Sequence, residues 1–410
     1  MSVASFPLLS TVQNYVHTPR KMFIDGEWVA AASGKTLDVY NPATGEVLAR
    51  VAEGDKADAD RAVHAARRAF EAGRWPSMTP AARAKLLWKV ADLIEDHAEE
   101  LAQLESLDNG KPFAVAKAAD VPLAAELFEE AGLPRGVLNV VPGFGETAGA
   151  ALAAHDGVDK VAFTGSTEVG KLIVQAAAGN LKKVTLELRG KSPNVLFADS
   201  DVDAAIAGAA SAIFFNHGQC CCAGSRLFAE QSIYDRVVEG VAAAAKKIKL
   251  APGMDPACQM GPLVSQEQFD RVTGFLESGR QQGATVVTGG KRFGDAGYFV
   301  EPTVLTNTRD DMKVIQEEIF GPVVAAIPFT DVEQIAAHAN NSVYGLAAGI
   351  WTRDISKAHR LRAGTVWVNC YNVFDASMPF GGYKQSGWGR EMGKEALELY
   401  TETKSVCVQL

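Results

Sequence analysis

Apolar residues recur along this chain at two spacings, every second residue in some stretches and every third or fourth in others, and the switches between them outline its elements. From residue 21 to 53, MFIDGEWVAAASGKTLDVYNPATGEVLARVAEG carries short apolar runs punctuated by Asp25-Gly26 and by Asn41-Pro42-Ala43-Thr44-Gly45, which predicts short strands joined by turns. Helical spacing follows in ADADRAVHAARRAFEAG and TPAARAKLLWKVADLIEDHAEELAQLESLDNG. Two amphipathic helices are expected there, the second with Pro80 near its start and Gly110 after its end. From residue 123 the two periods alternate: helix LAAELFEEAG, strand VLNVVPG, helix TAGAALAAH, strand KVAFTG, helix STEVGKLIVQAAAG, strand KVTLEL. Such alternation predicts a parallel sheet with crossover helices. A further α/β region is expected from SPNVLFADSD through residue 388, and the tail ELYTETKSVCVQL reads as a last strand.

Composition narrows the class. The chain has 410 residues, 47% hydrophobic and 22% charged, enough for more than one core, so two domains are expected. A net charge of −9, with no basic cluster larger than pairs such as Lys182–Lys183 and Lys246–Lys247, argues against nucleic acid or an anionic membrane as partner and for a small molecule. Six cysteines, three of them adjacent, do not form a spaced disulfide framework, and a reducing cytoplasm is the expected home. The opening MSVASFPLLSTVQNYVHTPRK holds only the short apolar piece FPLL, so no targeting signal is expected, and no later apolar run approaches membrane-spanning length.

Three stretches carry candidate chemistry. In KVAFTGSTEVGKL a strand reaches Gly165, turns and enters a helix whose first amides lack partners, a geometry suited to an anion. Its Gly165-x-x-x-x-Gly170-Lys171 spacing nearly matches a triphosphate-binding loop, but Leu172 stands where a magnesium-binding hydroxyl is needed. A dinucleotide pyrophosphate and a plain glycine turn remain equally good readings. In VTLELRGKSPNVL, Glu187 ends an apolar strand: in a cleft it would be a general base, and the plainer reading is a surface carboxylate paired with Lys191 or Arg189. In FFNHGQCCCAGSR, Cys220, Cys221 and Cys222 lack the ligand spacing of a zinc site, and adjacent cysteines form strained disulfides. One nucleophilic thiol beside two packing residues is the remaining reading, with Gly218, Ala223 and Gly224 leaving room for a substrate.

Taken together, Glu187 in LELRGKSP, then GQCCCAGSR, EEIFGPV and PFGGYKQSGWGRE, the chain resembles the aldehyde dehydrogenases, a large NAD(P)-dependent family, from residue 21 to its end. The resemblance implies an α/β fold with a Rossmann-like cofactor domain, truncated here, over 21–189 and an α/β catalytic domain over 190–389. It also implies an N-terminal extension over 1–20 and an oligomerisation segment over 390–410. Cys221, by the family's Gly-Gln-x-Cys pattern, would attack the aldehyde, and Glu187 would activate the water that hydrolyses the thioester. NAD is the implied cofactor, with NADP the alternative, and no metal is implied. Gly165, Ser166, Thr167, Glu168, Val169 and Gly170 would hold the pyrophosphate with Gly145 close by, and Glu318 and Phe320 the nicotinamide ribose and ring. Phe380 and Phe215 would line the aldehyde tunnel; for Phe215 core packing is an equal reading. The implied partners are an aldehyde and further copies of the chain.

Two departures from the family pattern stand out. Arg189 occupies a position where the family has glycine, and a cation there is expected to lower the pKa of Glu187 and crowd the nicotinamide. Between DNGKP (108–112) and LAAELFEEAG only a short stretch, AVAKAADVP and its neighbours, stands where relatives carry a long block with a Pro-Trp-Asn motif, the ribose-reading strand end, the opening strands of the cofactor sheet and a hairpin arm. The missing block, near 113–124, would remove the asparagine of the oxyanion hole, a loss of about 10²–10³ in kcat, and leave apolar edges exposed. The expected activity is therefore an impaired aldehyde oxidation. The alternatives are a cofactor-independent thiol esterase and a non-catalytic subunit of a homologue's oligomer.

Overall fold

The computed structural model describes residues 7–119 and 125–410. The last part of the expected junction, 120–124, lies outside the described residues, as do the first six residues and the Leu123 and Ala124 that begin LAAELFEEAG; helix is present from Ala125 to Ala131.

A seven-stranded sheet carries most of the core. Its spatial order is Thr365–Val368, Ala347–Trp351, Pro193–Leu196, Arg226–Glu230, Val323–Phe329, Thr303–Thr306, Thr285–Thr288, with only the last pair antiparallel. The strands Pro193–Leu196 and Ala347–Trp351 are buried along their whole length, the condition that selects continuous apolar runs over alternation. On one face the helices Val202–Phe214 and Tyr234–Lys247 pack with Leu196, Leu227, Val304 and Val324. The strand pleat sends the neighbouring Leu305, Val323 and Ala325 to the other face, under the helix Gln266–Gln281, while Val195 and Ile350 meet Ile335 and Ala339.

A second sheet has three strands in the order Gly387–Trp388, Lys183–Glu187, Lys160–Thr164; the last two are parallel and the first is a return from the chain's end. Around it stand the expected hairpins, Met22–Ile24 with Glu27–Val29 and Thr36–Asn41 with Glu46–Ala52. The helix Lys56–Glu71 starts at a capping box in which the Asp55 side chain accepts from Ala57 and Asp58 reaches back to the Asp55 amide. This part is thinly covered: Phe70, Leu172 and Leu181 are exposed, and a groove of ≈ 470 Å³ lined by Val63, Phe70, Trp75, Leu138, Val141 and Leu152 opens between that helix and residues 137–141.

Three expected elements differ. The long helix of residues 80–109 is two, Pro80–Asp96 and Ala98–Asn109, broken at His97, whose ψ of 11° leaves the helical range with neither glycine nor proline to mark the place. VLNVVPG is not a strand. Its Val140 exchanges both backbone hydrogen bonds with Phe23, and the rest of the segment faces the groove, where no ladder partner stands among the described residues. The tail is not a strand either: residues 401–410 are exposed, and among the described residues no strand pairs with them. TAGAALAAH begins as the π turn Gly145–Gly149 and continues as the helix Ala150–Ala154.

Among the described residues no helix is long and apolar enough to cross a membrane. Since residues 405–410 are exposed and outside every helix and strand, deleting them is expected to leave Tm within about 2 °C of the parent chain by differential scanning fluorimetry.

Candidate active site

The chain passes from the small sheet to the large one between Glu187 and Pro193, and the site is built around that crossing. Gly190 lies there with its Cα against the backbone carbonyl of Cys221: a methyl group at this position would overlap the carbonyl oxygen. Gly218, at φ 69°, meets the backbone of Gly321 and Pro322 in the same way. Only glycine permits either approach. Together they press the cysteine loop between the end of the Glu187 strand and the loop that carries Glu318 and Phe320.

The cysteine loop is held in strained backbone. Asn216 and His217 both have left-handed conformations, φ 47° and 55°, unusual for two consecutive residues with side chains. Side-chain bonds fix them: Asn216 Nδ2 donates to the Gln219 carbonyl, and Gln219 bridges the His217 ring at 2.8 Å and the Val264 amide at 3.1 Å. Burial holds His217 down to about 3, so the ring is neutral.

The three thiols part company. Cys222 is buried, and its Sγ donates to Asn372 Oδ1 at 3.4 Å while its carbonyl accepts from Tyr371. Cys220 lies 3.3 Å from the Cys222 sulfur and packs on the main core. Cys221 packs against the small cluster of Phe380, Trp367 and Leu346. Donation from the Cys221 and Cys222 thiols holds Cys220 well below the usual thiol range; the contact with Cys220, with burial, holds Cys221 above it against the Cys222 contact, and both neighbours with burial hold Cys222 above it. Cys221 therefore rests as a thiol at neutral pH.

Glu187 is not the surface carboxylate of the plainer reading, and Arg189 is not beside it. Only 7% exposed, Glu187 has one oxygen against Gly381, next to Phe380, and Oε2 accepts no hydrogen bond. Burial pushes its pKa up to about 8, the Glu391 carboxylate adding to the rise and Arg390 opposing it. The expected lowering by Arg189 is thus overturned. Past Glu187 the chain leaves the strand, and Arg189 turns to Glu168 Oε1 at 3.2 Å and Glu318 Oε2 at 3.6 Å. Glu391, Arg390, Met392 and Tyr400 line with Glu187 a cleft of ≈ 310 Å³. None of these four was singled out from the sequence; the only signal was their place in GRE and the tail that follows.

On the far side of the crossing, Gly165 donates its amide to the Glu187 carbonyl at 3.0 Å, and Ser166 caps the helix Thr167–Ala177 by accepting from Val169. Gly165, Glu168 and Val169 are exposed; Thr167 and Gly170 are buried, Thr167 bonded to the Gln385 carbonyl and Gly170 packed on Leu188. Glu318 accepts from the Gly190 amide at 3.0 Å, and burial raises its pKa to about 7. Gln268 and Arg271 pin its loop by donating to the Phe320 and Glu318 carbonyls, and Phe320 is half-buried at φ 57°. Phe380 and Cys221 share one cluster, extended by ring contacts from Phe380 to Phe374 and on to Trp367. Phe215 is 39% exposed outside the core clusters, and Gly145 is exposed on the π turn that packs on the helices Lys56–Glu71 and Ala150–Ala154.

The model of the aldehyde dehydrogenase family matches residues 28–126 and 122–406. DhaS of Bacillus subtilis is 45% identical over 493 aligned positions that cover all of both chains. The mitochondrial aldehyde dehydrogenase of Homo sapiens is 43% identical, covering 95% of this chain and 92% of its own length. A Bacillus cereus aldehyde dehydrogenase solved as an NAD+ complex superposes with a TM-score of 0.97 at 45% identity, covering 99% of each chain.

Two outcomes follow from the geometry. Gly190→Ala should destabilise the fold by about 1–3 kcal/mol in urea unfolding, since the Cys221 carbonyl must move. A carboxyl whose folded pKa of about 8 exceeds the ordinary 4.5 contributes stability that is complete below 4.5 and lost as pH rises through 8. Glu187→Gln should therefore raise Tm relative to the parent more at pH 9 than at pH 5; an equal difference at the two would mean that Glu187 is ionised throughout.

Proposed function

Since the chain belongs to the aldehyde dehydrogenase family, we propose that it oxidises an aldehyde to the carboxylic acid with NAD, using Cys221 as nucleophile and Glu187 as base. The observation that carries the reading is the contact of Gly190 with Cys221, which joins the cysteine loop to the turn just after Glu187, with Phe380 and Gly381 touching both sides. The Cys221 sulfur adds to the aldehyde carbonyl carbon, and the oxygen, protonated, leaves a thiohemiacetal. NAD, when bound, supplies a hydride acceptor. With the hydride passed from carbon to that acceptor and the hydroxyl proton to solvent, the thiohemiacetal would become a thioester. Glu187, as carboxylate, takes a proton from water, the resulting hydroxide adds to the thioester carbon, and the C–S bond breaks to release acid and thiolate. The uncapped Glu187 Oε2 leaves an acceptor for that water.

The residues present fit the pyrophosphate and nicotinamide half of a dinucleotide: the exposed Gly165–Ser166 helix start offers amides to an anion, and the Glu318 carboxyl suits a hydroxyl pair. The NAD+ complex of the Bacillus cereus relative makes NAD the first choice. In this reading residues 21–189 are the cofactor part, 190–389 the catalytic part, 390–410 an oligomerisation segment, and Phe380 the tunnel wall. The protein works in the cytoplasm.

An internal deletion reduces this activity. Support for it comes from the alignment with DhaS, which runs over 493 positions against 410 residues here, and from the family match, which falls in two segments that meet at 122–126. The groove beside residues 137–141 and the unpaired tail are what lost partner strands would leave behind. With the oxyanion held by the Cys221 amide alone, turnover of a simple aldehyde with NAD should run about 10²–10³ below intact relatives, followed by NADH fluorescence. Cys221→Ala should abolish it, and turnover at the relatives' rate would refute the impairment. Activity should rise with pH through about 8 as Glu187 ionises, and Glu187→Gln should remove that limb.

A further inference from the structure

Arg189 stands where the family resemblance leads one to expect glycine, and its contacts give it a task. The guanidinium, on a side chain one-fifth exposed, spans two carboxylates of different parts of the fold: Glu168, in the first turn of the Ser166-capped helix, and Glu318, on the loop before the strand Val323–Phe329. Glu168 stands beside the Ser166 cap, and Arg189 is the hydrogen-bond partner that holds its carboxylate there, at the start of the helix. Glu318 has its other oxygen on the Gly190 amide. One side chain thus joins both carboxylates where the chain crosses from the small sheet to the large one.

We propose that Arg189 is a latch over the cofactor cleft: in the free protein it pins Glu168 across the helix start and occupies Glu318, and it must release both before a dinucleotide pyrophosphate and ribose can enter. The inference rests on the reading of the Ser166 helix and Glu318 as cofactor-binding groups. A latch of this kind acts on entry more than on the bound state. Opening it breaks ion pairs whose Glu168 end is 68% exposed, so added salt should help it open. A glycine at 189 has nothing to release.

The test is stopped-flow binding of NADH, read by its fluorescence, to the full chain and to Arg189→Gly, Arg189→Lys and Glu168→Gln at low and high salt, with a melting curve on each to confirm folding. The latch predicts that Arg189→Gly associates about fivefold faster with little change in dissociation. Glu168→Gln, which loosens the latch from its other end, should also speed association, and Arg189→Lys should fall between. Salt should accelerate association for the parent chain and not for Arg189→Gly. Slower association in Arg189→Gly would mean that the guanidinium attracts the phosphates, and unchanged rates would mean that it serves packing alone; either result overturns the latch while leaving the cofactor reading intact. Failure of all four folded proteins to bind NADH overturns the cofactor reading and the latch with it.

Discussion

The site hangs on a crossing with no room to spare. Within six residues the chain ends a strand of the three-stranded sheet at Glu187 and begins the Pro193 strand of the seven-stranded one. At its middle the Gly190 amide points to Glu318 while its Cα touches the Cys221 carbonyl. The same bare backbone therefore sets the depth of the cysteine loop and the direction of a buried carboxylate. Glu187, Cys221 and Glu318 lie far apart in sequence, yet none can shift without disturbing the others, because protein interiors transmit small displacements rather than absorb them.

Electrostatics in the site follow from the same crowding. Glu187 and Glu318 both have raised pKa values, and for both the first cause is burial. Their surroundings then diverge. Glu318 receives an amide and a guanidinium, whereas Glu187 faces a second carboxylate, Glu391, with Arg390 only partly offsetting it. One carboxyl is thereby held by donors and the other left beside a like charge, environments that set the two acids apart.

Much of this was legible in the sequence, and the parts that were not share a physical reason. Cys221 and Glu187 could be singled out because their types and immediate neighbours carry the signal, and the helix start at Ser166 because capping is local. Glu391 and Arg390 escaped notice: their bearing on Glu187 comes from the return of the Gly387–Trp388 strand, a contact made across two hundred residues of sequence. The direction of Arg189 was misjudged for a related cause, since proximity in sequence to Glu187 says nothing once the strand has ended. VLNVVPG and the tail show the complementary failure. Their side chains suit a strand, but a strand exists only where another backbone meets its hydrogen bonds. His97 breaks a helix that nothing local forbids.

The unequal sheets carry one more consequence, for how the molecule breathes. The Cys221 loop is anchored in a seven-stranded sheet covered on both faces, while Glu187 sits in a three-stranded one beside an open groove. Backbone amides in these two settings open with different free energies, the first only with the whole molecule and the second by local excursions. The two halves of the site thus have different lifetimes. How long Glu187 keeps its place relative to the Cys221 loop is governed by the fluctuations of the weaker sheet, and the strained, tightly held cysteine loop moves less.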